Sequence, residues 1–268
     1  MSVDLHIHTN CSDGTWNLDE LLINLLKSQI KVFSITDHDT IENSQVMPEK
    51  LPAEPDLRYV VGVEISCTYQ GQEHHITAYS FDSYNPALLK LLETNQQRRL
   101  EYNNRTIQLL EKMYPHITYS RYKDYTYERK RGGWKTFNFL LDAGIIASVP
   151  EYFELVKNLD NPVIYSDPVD VITTIKAAQG FAFLAHPNVY FQGNQMPEAE
   201  LQQWIEFGIS GIECYSSYCS LQDAEEYVQF CTRNNLLISA GSDCHGTFLP
   251  KQLGNPRVTL DMLNLGFI

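Results

Sequence analysis

The sequence predicts an α/β fold in which strands alternate with helices, interrupted once by a mostly helical insertion. Three observations predict it. Short β-rich runs (VDLHI, KVFSIT, RYVVGVEIS) alternate with segments that carry an apolar stripe at helical spacing, such as LDELLINLLKS. The same alternation returns from Asp167 to the C-terminus. Between them, from Asn85 to about Ser166, the chain turns basic and rich in tyrosine.

Taken in order, Val3 to Ile7 reads as the first strand, LDELLINLLKS as a helix, KVFSIT as a strand, IENSQVM as a short helix and RYVVGVEIS as a strand. TYQGQEHHITAYSF reads as a hairpin turning at Gly71. Asn85-Pro86 is a helix start, and the pattern from Ala87 to Met113 is helical throughout. FNFLLDAG is a further helix stopped by Gly144. Asp167 caps the next helix, with Pro168 at its first position and Gly180 closing it. FAFLAHP, GIECYSS and LLISAGSDCH then read as strands, separated by the helices EAELQQWIEFG and LQDAEEYVQFCTRNN. The expected organisation is a main domain of residues 1–84 and 167–268 carrying a helical cap of residues 85–166.

The 268 residues are 43% hydrophobic and 12% aromatic, the composition of a globular protein with a sizeable core. No apolar run approaches the roughly 20 residues that span a bilayer, and no basic, apolar leader opens the chain. Six scattered cysteines without a C-x-x-C pair suit a reducing compartment, so a cytoplasmic location is expected. The net charge of −13 argues against generic nucleic-acid binding. It is uneven: residues 86–150 hold 11 Lys+Arg against 6 Asp+Glu, leaving −18 for the rest. A carboxylate-rich body suits a site of bound cations, although on charge alone an acidic surface is the better reading.

Histidines decide between these readings. A single His-x-His pair is common on exposed strands, but seven of the eight histidines fall at predicted strand ends, beside a carboxylate or another histidine. The C-terminal ends of strands form the functional rim of α/β sheets. The rim residues are His6, His8, Asp13, His38, Glu64, His75, His186, Asp243 and His245. One ion needs three or four ligands, so nine candidates imply two or three ions. Mixed imidazole and carboxylate donors suit Mn, Zn or Fe. Cys11 and Cys244 are read as bystanders, and His74 as a solvated neighbour of His75.

DLHIHTNCSDG, ITDHD, VGVEIS, HITAYS, AHP and SDCH, in this order, resemble the PHP (polymerase and histidinol phosphatase) family of metal-dependent phosphoesterases. SDG after HxHT is similar to the stand-alone members that act on nucleotides or nucleic-acid ends. The resemblance implies a distorted (β/α)7 barrel with three metal ions. It implies His6, His8, Glu64 and Asp243 on the first ion, and Asp13, His38 and His245 on the second. Glu64 would bridge to a third, completed by His75 and His186. Where such relatives carry an arginine-containing GRP-type motif, this chain reads RGGWKTF, leaving Arg131 or Lys135 to contact a phosphate as charge partners.

The expected reaction is hydrolysis of a phosphate ester by hydroxide that adjacent ions make available at neutral pH, with His186 or Asp39 protonating the leaving oxygen. No nucleophilic serine motif is present or needed. A nucleotide, nucleoside bisphosphate or short oligonucleotide is the expected substrate class. Extended nucleic acid is disfavoured by the acidic body, and aromatic residues in the cap could stack a base. Histidinol phosphate is an alternative within the same chemistry. An amidohydrolase-type C–N or lactone hydrolase is an alternative outside it, but one that does not call for Asp13, ITDHD or the Asp243/His245 pair. A non-catalytic metal module would show lost ligands, and all nine are present.

Overall fold

A computed structural model describes residues 1–51 and 57–268. Strands β1 (Ser2–Asp4), β2 (Val32–Ile35) and β3 (Arg58–Tyr69) run parallel, and β4 (Gln72–Tyr79) returns antiparallel to β3. Gln70 and Gly71 make that hairpin turn with φ of 50° and 77°, the pair of positive values a two-residue turn requires. β5 (Phe181–Leu184) is antiparallel to β4, and β6 (Gly211–Ser216) and β7 (Leu237–Gly241) continue in parallel. The ends of this sheet meet: Leu5 N–H donates to Ala240 O at 3.0 Å and His8 N–H to Cys244 O at 2.9 Å. The result is the distorted (β/α)7 barrel, with a two-residue β8 (Val258–Thr259) added antiparallel outside β1.

β1 is shorter than the expected Val3–Ile7, and His6 and His8 lie beyond its end. The reason is local pairing. The buried Asp4 carboxylate accepts the N–H groups of His6, Ser242 and Gly254, and Thr36 Oγ1 accepts that of Ile7, so side chains interrupt the ladder, leaving an isolated bridge between Ile7 and Cys244.

Helices α1 (Leu18–Lys27) and α2 (Glu42–Lys50) cover the first strands; Asn17 and Glu20 form a reciprocal capping box on α1. The predicted insertion contains α3 (Pro86–Leu110), α4 (Tyr119–Asp124), α5 (Lys135–Asp142) and α6 (Val149–Lys157). Asn85 caps α3 by accepting from Ala87 and Leu88 N–H. The barrel resumes with α7 (Pro168–Ala177), capped by Asp167, then α8 (Glu198–Phe207) and α9 (Leu221–Arg233).

α3 belongs to two cores. Leu88 and Leu92 pack in the barrel cluster with Val171, Ile172 and Ile175. Ile107 and Leu110 pack with Tyr122, Phe137, Leu140 and Tyr152, an apolar cluster of the insertion. The insertion also touches the barrel's rim: Gly133 N–H donates to Asp13 O at 2.7 Å, and Phe248, three residues past His245, packs against Phe137 and Trp134.

Candidate metal centre

Most rim residues reach the centre from strand ends, and Asp13 reaches it from the loop that follows β1. His6 and His8 follow β1, His38 follows β2, Glu64 lies within β3, His186 follows β5, and Asp243 and His245 follow β7. His75 lies on β4 opposite Ser66, two pairs along the hairpin from Glu64 and Thr77. Because β4 runs antiparallel, its early residues stand at the rim where parallel neighbours end. Three turning residues, Asp39, His186 and Asp243, have φ of 51°, 31° and 52°. This left-handed backbone costs on the order of 1–3 kcal/mol per residue and is concentrated at functional sites. Gly241 makes room for the first ligand, since a Cβ there would lie 2.0 Å from His6 Cβ.

The side chains converge on Glu64, which is fully buried. Its Oε2 faces His6 Nε2 (3.3 Å), His8 Nε2 (3.3 Å) and His38 Nδ1 (3.0 Å). Its Oε1 faces His75 Nδ1 (3.1 Å) and His186 Nε2 (2.8 Å). Asp243 Oδ1 lies 3.0 Å from His8 Nε2, and Asp13 Oδ1 lies 3.2 Å from His245 Nε2. Three groups of donors each gather within 4.8 Å: His6, His8, Glu64 and Asp243; His8, Asp13, His38 and His245; and His38, Glu64 and His75.

Whether these residues fit metal is answered by their unpaired atoms. His6 Nε2, His8 Nε2, His38 Nδ1 and Glu64 Oε2 are buried without a hydrogen-bond partner, all turned toward one another. Such orphaned polar atoms are costly unless a cation occupies the space between them. The opposite ring nitrogens are held from behind: His6 Nδ1 on Glu213 Oε1 (2.9 Å), His75 Nε2 on Glu73 Oε1 (3.1 Å) and His245 Nδ1 on Asp243 O (2.8 Å). Backing a histidine in this way fixes which nitrogen faces a metal. The residues fit a group of divalent ions.

The electrostatics agree. Burial works to raise Glu64 and Asp13, yet the imidazoles around each, His75 and His6 for the former and His245 and His38 for the latter, hold both carboxyls well below the usual range. Burial pushes His38 down to about 3, outweighing Glu64 and Asp13. Burial, with Asp37 and Glu42 beside it, pushes the Cys11 thiol up to about 12, and burial does the same to Cys244.

Other expected roles find different partners. Asp39 is buried and accepts from Ser66 N–H (3.0 Å), Asn95 Nδ2 (2.8 Å) and Arg99 Nη2 (3.1 Å). These contacts tie the Asp39 carboxylate to α3. Arg131 forks onto Asp142 at 2.7 and 2.9 Å, while Lys135 donates to Lys123 O beneath the Tyr122 ring. Both cations find these partners within the insertion. His74 is not solvated: it is buried against Tyr190 and Trp204, and burial pushes it down to about 4.

The pattern of the PHP domain matches residues 4–153 of this chain. The chain belongs to the PHP family of metal-dependent phosphoesterases. Among curated proteins it is similar to a 3',5'-nucleoside bisphosphate phosphatase of Chromobacterium violaceum, 26% identical over 251 residues, covering 91% of this chain and 87% of that one. A 5'-3' exoribonuclease of Haemophilus influenzae is 26% identical over 250 residues, covering 90% and 89%. Among solved structures, a Bifidobacterium adolescentis protein assigned to the metal-dependent phosphoesterases superposes with a TM-score of 0.81 at 24% identity, covering 97% and 93%. That likeness shows that the PHP barrel is shared.

The motifs led to the rim but passed over its supports. Glu213 is one: its Oε1 meets His6, and its Oε2 accepts the N–H of His186 at 2.7 Å. Asp37 is another, taking Thr9 N–H and the hydroxyls of Thr9 and Ser12 to shape the loop that presents Asp13. The available signal was a charge inside an apolar strand, the Glu of GIECYS.

Proposed function

We propose that this PHP protein hydrolyses a phosphate monoester, or a short phosphodiester, of a nucleotide, nucleoside bisphosphate or short oligonucleotide. The observation that carries this reading is the set of buried, unpaired ligand atoms gathered at Glu64 Oε2, with His75 and His186 on its other oxygen. His6, His8 and Asp243 with Glu64 Oε2 would hold one ion; Asp13, His38 and His245 a second; and Glu64 Oε1 with His75 and His186 a third. Two or three divalent ions (Mn, Zn or Fe), when bound, supply Lewis acidity toward phosphate oxygens and bring water within reach of deprotonation near neutral pH.

The chain's own residues do the positioning. Glu64 presents Oε2 to His6, His8 and His38 and Oε1 to His75 and His186, so each oxygen would be available to a separate ion. His186 directs Nε2 into the ligand set, which favours its ligand role over service as a leaving-group acid. Barrel residues 1–84 and 167–268 form the floor, and residues 85–166 act as a cap that limits the length of substrate admitted. The relatives named above act on a nucleoside bisphosphate and on RNA 5' ends, and a nucleotide phosphate is the chemistry these share.

The test is phosphate release from 5'-mononucleotides, 3',5'-nucleoside bisphosphates, short RNA and histidinol phosphate. It uses metal-analysed protein with added Mn, beside a His8→Ala/Asp243→Ala double variant. Release from a nucleotide that falls by roughly a thousandfold or more in the double variant is expected. Preference for histidinol phosphate, or no release by fully loaded protein, overturns the reading.

A further inference from the structure

Arg131 and Lys135 find their partners within the insertion, while among the described residues no hydrogen bond or ion pair ties either to the rim ligands. An ammonium group stands at the centre itself. Lys251, six residues beyond His245, directs Nζ onto Asp243 Oδ2 and lies 3.6 Å from the centroid of the Tyr218 ring. Tyr218 donates its hydroxyl to the same Oδ2 at 2.8 Å, and its ring meets that of His186 at 5.7 Å. The two oxygens of Asp243 are thus divided: Oδ1 faces His6 and His8, and Oδ2 is closed by Lys251 and Tyr218.

Two features set Lys251 apart from a cation that merely neutralises Asp243. Its side chain is 13% exposed, so it stands at the edge of the centre rather than in the core. An ammonium also carries three donors, and Asp243 takes one while the Tyr218 ring covers a face of the charge. A donor therefore remains one carboxylate's width from the ligand atom Oδ1. An anion seated on ions held by Oδ1 would come within its reach.

We propose that Lys251, set in place by Tyr218, is the cation that contacts the substrate's phosphate group, giving one N–H to a phosphate oxygen while keeping another on Asp243. The proposal rests on the phosphoesterase reading for its ligand, and it assigns to a barrel loop the role expected of the insertion. As a point charge, lysine asks for one free phosphate oxygen rather than a paired edge.

The experiment is calorimetric titration of Mn-loaded protein with inorganic phosphate, comparing wild type, Lys251→Met and Lys251→Arg, with metal content measured in each. Lys251→Met should weaken phosphate binding by roughly 10- to 100-fold with metal content unchanged, while Lys251→Arg retains most of the affinity. If Lys251→Met does not fold, Lys251→Gln is read in its place. Unchanged phosphate affinity overturns the proposal, as does loss of metal in Lys251→Met, which would make the lysine a support for Asp243 alone. Wild-type protein that binds phosphate through Lys251 yet releases none from any nucleotide overturns the functional reading and leaves this one standing. Nucleotide turnover with phosphate affinity indifferent to Lys251 does the reverse.

Discussion

Glu213 touches the centre only through others, since one oxygen orients His6 and the other holds the backbone of His186. It is fully buried, so the pair it makes with His6 Nδ1 decides which nitrogen of that ring faces inward. Glu213→Gln keeps the shape and removes the charge. We expect metal affinity to fall by about 10- to 100-fold, the usual cost of losing such a backing group. Titration of chelator-treated protein with Mn reads this directly; wild-type affinity in the variant would reduce Glu213 to a packing role. The residues that face the centre were readable because ligand chemistry repeats at strand ends. Those behind them were harder, because a lone carboxylate such as Glu213 or Asp37 carries no spacing pattern of its own. Lys251 was not readable at all: it lies in a loop without periodicity, and only the closed barrel brings it back to Asp243.

At the scale of elements, α3 is the joint between barrel and insertion. Asn95 Nδ2 donates to Asp39 Oδ1 and Ser66 O, and Arg99 Nη2 reaches Asp39, Ser66 Oγ and Glu73. Through Glu73 this network extends to His75, so seating the helix and orienting a candidate ligand are one event. Arg99→Met keeps the aliphatic stem but leaves the buried Asp39 short of its charge partner. Breaking a buried pair costs several kcal/mol, and the partial exposure of Arg99 lowers this to about 1–3 kcal/mol. A denaturant midpoint lowered accordingly is expected, together with weaker Mn binding through His75; an unshifted midpoint would show that apolar contacts alone seat the helix. The helix starts at Asn85 and Asp167 were the most legible elements, because both residues cap as their side-chain chemistry dictates. The end of β1 was misread, because apolar alternation says nothing about Asp4 and Thr36 intercepting the backbone. The two-core character of α3 was equally hidden, since one helical stripe serves both clusters.

Across the whole molecule, closing the barrel forces six imidazoles and three carboxylates into one interior, so stability, protons and metal are linked. In protein stripped of metal, His8 and His75 are each pushed up to about 10: burial opposes this, but Asp243 and Glu64 around His8, and Glu64 with Glu73 around His75, prevail. These values exceed the ordinary histidine value of about 6.5. Their ion pairs therefore stabilise the stripped protein fully below about pH 6.5, and the contribution fades as pH climbs toward 10. Glu64 and Asp13 are shifted the other way, so their contribution is present above their ordinary range near pH 4 and is lost only in stronger acid. Divalent ions need neutral imidazoles and release these protons on binding, so their grip strengthens over the same interval in which the ion pairs weaken. The thermal transition of chelator-treated protein should accordingly fall from about pH 6.5 to 9 while that of Mn-loaded protein holds, so the gap widens with pH. Scanning calorimetry of both forms across this range is the check. A gap that stays constant or narrows would mean that these histidines do not carry protons in the stripped protein, and that the centre is preformed for metal without a charge exchange.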